Sequence, residues 1–310
     1  MNHALSVKDI EGVYTALMTP FNSLSMLIDK PIDYLKLDDL IEDQVKYVNG
    51  VVACSTTGQN STLSHEEHVE LAIHVFNKVY ERINFLVSTG SNSTFESIQL
   101  SRNIVNKIGP TTFLSVVPYY NKPSQKGIFD HFTNIANNLG PGSNLILYNV
   151  PSRTGRNMEA EAVIELAKNP SIIGIKEASG DMKQIKKIIS GVSPKRFRVL
   201  SGDDNLVAAV VKAGGYGVIS ASANIAPIPF KQIVSCGIRG EYKKSERLQK
   251  YINPLVDAVF CESNPIPLAH IFNSGLRLPL VKHPELQYKI DSVLTKYSPE
   301  ELGIDFRKYK

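Results

Sequence analysis

Residues 172–180 read Ile-Ile-Gly-Ile-Lys-Glu-Ala-Ser-Gly, and the rest of the chain is organised around this stretch. The short apolar run with β-branched residues predicts a buried strand, and Lys176 is its last inward position. Burial disfavours the charged form of an ammonium, and a neutral lysine is a nucleophile toward carbonyl carbons, as in Schiff-base enzymes. The alternative is a lysine just past the strand end, with a packed stem and its head in water.

Strand-like and helix-like stretches alternate on both sides of this segment. Eight strand–helix units within about 230 residues fit an α/β fold of the (β/α)8 TIM-barrel type, which usually takes about 250 residues. A doubly wound open sheet is the competing fold, but no Gly-rich phosphate loop follows the first strand and the alternation continues past six strands. The strands are predicted at 12–18, 50–54, 83–87, 112–117, 145–148, 172–176, 198–200 and 217–220.

The pattern becomes purely helical after the eighth strand. We therefore predict a catalytic barrel over residues 1–225 and a C-terminal helical region over residues 226–310. The nearly uncharged stretch 206–230 is interrupted by Lys212 and a Gly-Gly pair, so a buried helix followed by a buried strand explains it better than a membrane span.

The composition argues against a nucleic-acid partner, a disulfide framework and secretion. The formal charge of +4, from 34 basic and 30 acidic residues, is too small to predict a nucleic-acid partner. Three widely spaced cysteines, Cys54, Cys236 and Cys261, argue against a disulfide framework or a zinc cluster and suit a reducing compartment. The N-terminus lacks the apolar segment of a secretory signal, so we expect a cytoplasmic protein without a membrane anchor.

Polar residues collect where the predicted strands end. In a TIM barrel the carboxyl ends of the strands form the active-site face, so these side chains should converge there. They are Ser55-Thr56-Thr57-Gly58, Tyr119-Tyr120, Tyr148, Lys176 and Ser201-Gly202-Asp203-Asp204, with Arg153 in the loop after the fifth strand.

Each of these residues also has a purely structural interpretation. Thr56 and Thr57 would either cap the next segment or bind a carboxylate through hydroxyls and backbone N–H groups. Tyr148 is either a core tyrosine or a proton relay beside the lysine. Arg153 is either a surface residue or the bidentate partner of a substrate carboxylate.

No metal site is predicted. Asp203 and Asp204 have no further oxygen ligand at a fitting spacing, so stabilisation of a helix N-terminus explains them better. His65 and His68 share a helix face, but they do not form an HExxH pattern.

Several motifs in matching order resemble the dihydrodipicolinate synthase family, also called 4-hydroxy-tetrahydrodipicolinate synthases, of the N-acetylneuraminate lyase superfamily. The resemblance extends from about residue 12 to about residue 280. The motifs are Gly-Ile-Lys-Glu-Ala-Ser-Gly around Lys176, Leu-Tyr-Asn-Val-Pro-Ser-Arg-Thr-Gly around Tyr148, Pro-Tyr-Tyr-Asn-Lys-Pro-Ser-Gln at 118–125, Ser201-Gly-Asp-Asp, Gly217-Val-Ile-Ser and Asn264-Pro-Ile-Pro.

The resemblance implies a class I aldolase-like lyase of lysine and diaminopimelate biosynthesis. Lys176 would form a Schiff base with pyruvate, and the derived enamine would attack L-aspartate-β-semialdehyde to give 4-hydroxy-tetrahydrodipicolinate. It implies no metal, nucleotide or flavin, since the lysine itself is the electron sink.

Roles of individual residues follow from the same resemblance. Tyr148, Thr57 and Tyr120 match the family's proton relay, and Tyr120 would cross a subunit interface, which implies a tight dimer paired into a homotetramer. Thr56, Thr57 and Gly58 resemble the pyruvate carboxylate site, and Arg153 the anchor of the semialdehyde carboxylate. Gly202 and Ile219 resemble backbone contacts near the pocket.

Regulation by lysine, the end product, is also implied at the dimer interface. Glu96 would pair with the ammonium of this effector. The usual Gly-Thr-Thr-Gly-Glu is here Ser55-Thr-Thr-Gly-Gln59, so we expect one charge fewer near the dimer face. The matching effector positions are Asn60, Ser61, His65, His68, Asn92, Glu96 and Tyr119.

Two other functions remain open from the sequence. One is a sister aldolase that shares Lys176 and Tyr148 but acts on a sugar acid or a hydroxy-oxo acid. The other is a catalytically silent barrel that binds a keto acid as a sensor. Intact Lys176, Thr57, Tyr120 and Tyr148 oppose the silent barrel, and Arg153 favours a small acid substrate over a sialic acid.

Overall fold

Eight parallel strands close into a barrel, paired in chain order, in the computed structural model, which describes residues 3–309. The last strand pairs with the first, with Gly12 opposite Gly217, so the sheet has no open edge. This confirms the predicted TIM barrel. The strands are β1 (Gly12–Ala16), β2 (Gly50–Ala53), β3 (Asn84–Ser88), β4 (Thr112–Val116), β5 (Asn144–Asn149), β6 (Ile172–Glu177), β7 (Arg198–Ser201) and β8 (Gly217–Ser220).

Helices connect the strands and continue beyond the last one. The helix that follows β8 packs against β1 and so completes the ring, within the segment predicted as the C-terminal helical region. The helices are α1 (Tyr34–Gln44), α2 (His65–Val79), α3 (Thr94–Ile108), α4 (Gln125–Asn138), α5 (Pro151–Thr154), α6 (Ala160–Leu166), α7 (Met182–Gly191), α8 (Val207–Lys212), α9 (Pro227–Ile238), α10 (Tyr242–Val259), α11 (Ile266–Ile271), α12 (Pro284–Leu294) and α13 (Pro299–Leu302).

Local sequence explains where several helices begin. The hydroxyl of Ser64 accepts the Glu67 N–H, and the Glu67 carboxylate accepts the Ser64 N–H, which is the predicted capping box of α2. The short α5 was not predicted, because four residues beginning at Pro151 carry no helical periodicity. Short 3₁₀ turns at Thr56–Gly58 and Asn60–Thr62 also lacked a sequence signal.

Side chains alternate between two apolar clusters. One fills the space between the strands and the surrounding helices, and the other fills the barrel interior with residues such as Tyr14, Leu86, Ile146 and Leu200. The uncharged stretch 206–230 forms α8 and β8, as predicted for a buried helix and strand. No helix within residues 3–309 is long and apolar enough to cross a membrane.

The segment before β1 closes the amino-terminal end of the barrel. Leu5, Val7 and Ile10 pack against the inner cluster, and Ile10 is fully buried. The Leu5 N–H donates to Thr112 Oγ1 at 2.8 Å, and Asn144 Nδ2 donates to the Leu5 carbonyl at 2.8 Å. These residues therefore act as a plug, a role that the sequence did not reveal.

The plug should contribute measurably to stability. We expect Ile10→Ala to lower the free energy of unfolding by about 2–5 kcal/mol, because it leaves a cavity at the closed end of the barrel. Denaturant unfolding measures the change. Leu24→Ala is the control, since Leu24 is 88% exposed and its truncation should change stability by less than about 0.5 kcal/mol. Equal effects of the two substitutions would contradict the assignment.

Candidate active site

Lys176 lies near the carboxyl end of β6 and is only 7% exposed. Its Nζ is 4.2 Å from the ring centroid of Tyr148, which occupies the paired position on β5. The lysine head is therefore inside the barrel and beside an aromatic face. The alternative of a lysine with its head in bulk water is not what the structure shows.

A cavity of about 200 Å³ surrounds the lysine head at the carboxyl-terminal face of the barrel. It brings together the sequence-predicted residues Lys176, Tyr148, Thr56, Thr57, Arg153, Gly202 and Ile219. Gly58 and Tyr120 are not among its lining residues. The remaining lining residues are Ser55, Val150, Ser152, Ala178, Asp203, Ala221, Phe260 and Asn264.

The two threonines occupy different environments in one 3₁₀ turn. Thr57 is buried, and its Oγ1 accepts a hydrogen bond from Asn264 Nδ2 at 2.9 Å. Thr56 is half-buried and lines both this cavity and a neighbouring cleft. Gly58 donates its N–H to the Ser55 carbonyl at 2.9 Å and so closes the turn that presents both hydroxyls.

Arg153 lies on α5 at the mouth of the cavity. It is exposed, and its Nη2 donates to the Asn264 carbonyl at 3.2 Å. This bond fixes one edge of the guanidinium and leaves its other donors available to an anion. A planar fork at the mouth of a small cavity is suited to a substrate carboxylate.

Gly202 is required by the packing of the lysine stem. A Cβ at this position would lie 2.6 Å from Ala178 Cβ and 3.0 Å from Lys176 Cγ. The Gly202 N–H also donates to the Glu177 carbonyl at 2.7 Å, which holds the β7 loop against β6. Any larger residue would displace the side chain of Lys176.

Asp203 and Asp204 do not stabilise the start of α8 as predicted. Asp203 Oδ2 accepts the Gly180 N–H at 3.0 Å, and Asp204 Oδ2 accepts the Ser222 N–H at 2.8 Å. The two carboxylates instead hold loops after β6 and β8, and burial raises the pKa of both. Within residues 3–309, no three His, Cys, Asp or Glu side chains are grouped as a metal site.

A neighbouring cleft of about 400 Å³ contains most of the predicted effector residues. His65 Nε2 lies 2.9 Å from Glu96 Oε1, and His68 Nε2 lies 2.8 Å from the Ser88 carbonyl. Burial lowers the pKa of His68 to about 4, so this ring is neutral at physiological pH. The effector residues that line the cleft are Asn60, Ser61, His65, His68, Glu96 and Tyr119.

Asn92 is the one predicted effector residue that does not line the cleft. Its carbonyl accepts a hydrogen bond from Asn121 Nδ2 at 3.0 Å. Thr56, Val150 and Arg153 line both the cleft and the cavity of Lys176, so the two spaces share a wall.

Tyr120 lines neither cavity of its own chain. It is 88% exposed and has a φ of 71°, a left-handed conformation that is uncommon outside glycine. The neighbouring Tyr119 is 40% exposed and lines the cleft.

Gln59 lies below the protein surface and contacts the C-terminal part of its own chain. It is buried, and its Oε1 accepts the Arg277 N–H at 3.2 Å. Arg277 in turn forms an ion pair with Glu67, with 2.6 Å between Nη2 and Oε1. Position 59 therefore faces the C-terminal region of the same chain and does not line the effector cleft.

Asn264 and Phe260 also line the cavity, although the sequence predicted no site role for either residue. The motif Asn264-Pro-Ile-Pro was recognised only as part of the resemblance. Both residues follow α10 and fold over the barrel mouth from the C-terminal region. The strand–helix alternation gives no signal for such a long-range contact.

Comparisons with known proteins agree with this geometry. The sequence profile of the dihydrodipicolinate synthetase family matches residues 9–288. A 4-hydroxy-tetrahydrodipicolinate synthase of Leptospira biflexa is 41% identical over 282 residues, which span 89% of this chain and 92% of the relative.

Solved structures give the same result. The dihydrodipicolinate synthase of Acinetobacter baumannii, complexed with pyruvate, has a TM-score of 0.86 at 34% identity and covers 96% of this chain and 100% of its own. The dihydrodipicolinate synthase of Cyanidioschyzon merolae, with lysine bound, has a TM-score of 0.86 at 32% identity. The match covers 93% of this chain and 98% of that one. The chain belongs to the dihydrodipicolinate synthetase family.

Proposed function

We propose that this chain is a 4-hydroxy-tetrahydrodipicolinate synthase, which condenses pyruvate with L-aspartate-β-semialdehyde. The observation that carries the proposal is the buried Lys176 beside Tyr148, in a cavity with two threonine hydroxyls and an arginine at its mouth. A cavity of about 200 Å³ suits small acids, and the family relatives carry this enzyme name.

The proposed reaction begins with the amine of Lys176. It attacks the ketone carbon of pyruvate, one water is expelled, and an imine forms. Loss of a methyl proton gives the enamine, whose carbon attacks the aldehyde of the second substrate and forms the new carbon–carbon bond. The amine of that substrate then displaces Lys176, which closes the ring and returns the free lysine.

Proton transfer is assigned to Tyr148 and to the threonine turn. Tyr148 lies beside the lysine head, and its phenol is suited to passing protons during imine formation. Between the two threonines, we favour Thr56 as the next relay group, because it lines both the cavity of Lys176 and the cleft that contains Tyr119. Thr57, assigned to the relay by the resemblance, is held by Asn264 and suits binding of the pyruvate carboxylate.

A second subunit completes the relay in this proposal. Tyr120 of one chain would enter the site of its partner, which requires a tight dimer, and two dimers would form a homotetramer. The exposed Tyr120, together with Phe95 at 71% exposure, supports an interface at this end of the barrel.

No metal or organic cofactor takes part in the proposed chemistry, because the imine of Lys176 withdraws electrons from the reacting carbon. We place the enzyme in the cytoplasm. Three unpaired cysteines suit a reducing compartment and support this location.

The first test is the initial rate with pyruvate and L-aspartate-β-semialdehyde, coupled to the NADPH-dependent reductase that consumes the product. Wild-type protein should oxidise NADPH only when both substrates are present. Lys176→Ala should abolish this rate and the borohydride trapping of pyruvate, because no other amine lies in the cavity lining.

Lys183→Ala is the matched control, because Lys183 is exposed on α7. This variant should keep both the coupled rate and the borohydride trapping. Cleavage of N-acetylneuraminate and of sugar-acid adducts is assayed in parallel. Release of pyruvate from such an adduct, without a synthase rate, would assign the sister aldolase function. Trapping that persists in Lys176→Ala would refute the mechanism.

The two threonines are distinguished by parallel substitutions. Thr56→Val should reduce kcat by about a hundredfold, because it removes a proton-transfer group. Thr57→Val should act mainly on KM for pyruvate, because it removes a carboxylate contact and leaves Asn264 Nδ2 unpaired. Steady-state kinetics measure both. A larger loss of kcat in Thr57→Val would return the relay role to Thr57.

Lysine is the proposed inhibitor, bound in the cleft beside Glu96. Calorimetry with pyruvate-loaded enzyme should detect lysine binding, and Glu96→Gln should weaken it about tenfold by removing the charge that pairs with the ammonium. Glu66→Gln is the control, because Glu66 is exposed and does not line the cleft. Absence of lysine binding to the wild-type enzyme would contradict this regulation.

A further inference from the structure

Asn149 and Glu177 each follow a proposed catalytic residue directly in sequence. Asn149 comes after Tyr148 on β5, and Glu177 comes after Lys176 on β6. They are paired across the two strands, as are Tyr148 and Lys176, and both are fully buried. Because strand side chains alternate, this second pair lies on the outer face of the barrel wall, behind the catalytic pair.

The two side chains bind each other and the loops on either side. Asn149 Nδ2 is 3.1 Å from both carboxylate oxygens of Glu177 and 2.8 Å from Asn157 Oδ1. Asn149 Oδ1 accepts the Met158 N–H at 3.0 Å. The asparagine therefore joins β5 to β6 and to the segment that follows Arg153 on α5.

Neutral groups alone hold the carboxylate of Glu177. It accepts the Ser179 N–H at 2.8 Å and Gln184 Nε2 at 3.4 Å, in addition to Asn149. No Lys, Arg or His of the described chain forms an ion pair with it. Burial raises its pKa. Without a counter-charge, the buried carboxylate of Glu177 is stabilised only by its hydrogen bonds. The contact between Asn149 and Glu177 therefore tolerates little change in the position of either side chain.

The pairing of β5 with β6 is irregular at the amino-terminal end of the two strands, away from Asn149 and Glu177. Leu145 pairs with Ile172, but Ile146 pairs with Gly174, so β6 contains one extra residue there. Such a bulge weakens the backbone's control of strand register, which decides the face that each side chain occupies. The Asn149–Glu177 contact joins the two strands at the end that carries the proposed catalytic pair.

We infer that Asn149 and Glu177 are positioning residues, whose side-chain contact fixes Lys176 against Tyr148 for imine formation. This inference rests on the proposed function, since it assigns a role in the same site. Neither residue touches the cavity, so each acts through its neighbour in the chain. Displacement of a catalytic group by about 1 Å is sufficient to cost about a hundredfold in rate.

The test uses two single substitutions and their combination. Glu177→Gln and Asn149→Asp each remove the match between donor and acceptor, and each should reduce both kcat and the rate of borohydride trapping by about tenfold or more. KM for pyruvate should change less than about threefold, since no binding group is altered. The double variant Asn149→Asp with Glu177→Gln should lose little more rate than the slower single variant, because both substitutions disrupt the same contact.

Thr15→Val is the matched control for a purely structural effect. Thr15 on β1 is fully buried, and its Oγ1 donates to Gln44 Oε1 at 2.6 Å on the outer face of the wall, away from the lysine. Its loss should lower the melting temperature and leave kcat unchanged. Gln184→Leu, at the half-buried edge of the network, provides a milder variant in case the central substitutions prevent folding, and it should show a smaller loss of kcat.

Three results would overturn the inference. The first is an unchanged kcat in Glu177→Gln and Asn149→Asp. The second is an unchanged kcat in Gln184→Leu where the central variants do not fold. The third is a double variant whose loss of kcat equals the product of the two single losses. Wild-type enzyme that fails to trap pyruvate would instead refute the proposed function, and this inference with it. Trapping in the wild type, a reduced kcat in the single variants and a double variant close to the slower single would support it.

Discussion

The placement of one amine inside an apolar barrel determines most of the features of this site. Lys176 is carried to the interior by the alternation of β6, and its stem occupies space that only a glycine at position 202 leaves free. The ring of Tyr148 lies against its head. The carboxylate of Asp203 lines the same cavity and interacts electrostatically with this amine, as does the buried Asp204.

The sequence predicted the parts of the site that strands carry. Lys176 and Tyr148 were identified because a strand period of two fixes their direction, and the eight strands set where they converge. Asn264 was missed because it reaches the cavity from the C-terminal region, more than 200 positions from Thr57 in sequence. The carboxylates of Asp203 and Asp204 were misassigned because loops distant in sequence supply their donors.

The contact of Gln59 is another that a sequence pattern does not predict. Its side chain is directed by a left-handed backbone conformation, with a φ of 54°, toward Arg277. A pattern in sequence gives no information about such a turn. Tyr120 is a different case. The resemblance implies that it acts in a partner subunit, and in a single chain its side chain is exposed. Local patterns therefore predicted the strands and their inward residues, whereas contacts between distant segments had to be observed.

The plug at the closed end of the barrel affects the order in which the chain folds. Leu5 binds Thr112, and the Val7 carbonyl accepts a hydrogen bond from Arg198, 191 positions later. These residues therefore find their partners only after most of the barrel has been synthesised. Contacts of such sequence separation form slowly, because a long loop must close first. Until the barrel closes, the apolar side chains of Leu5, Val7 and Ile10 remain without their native neighbours.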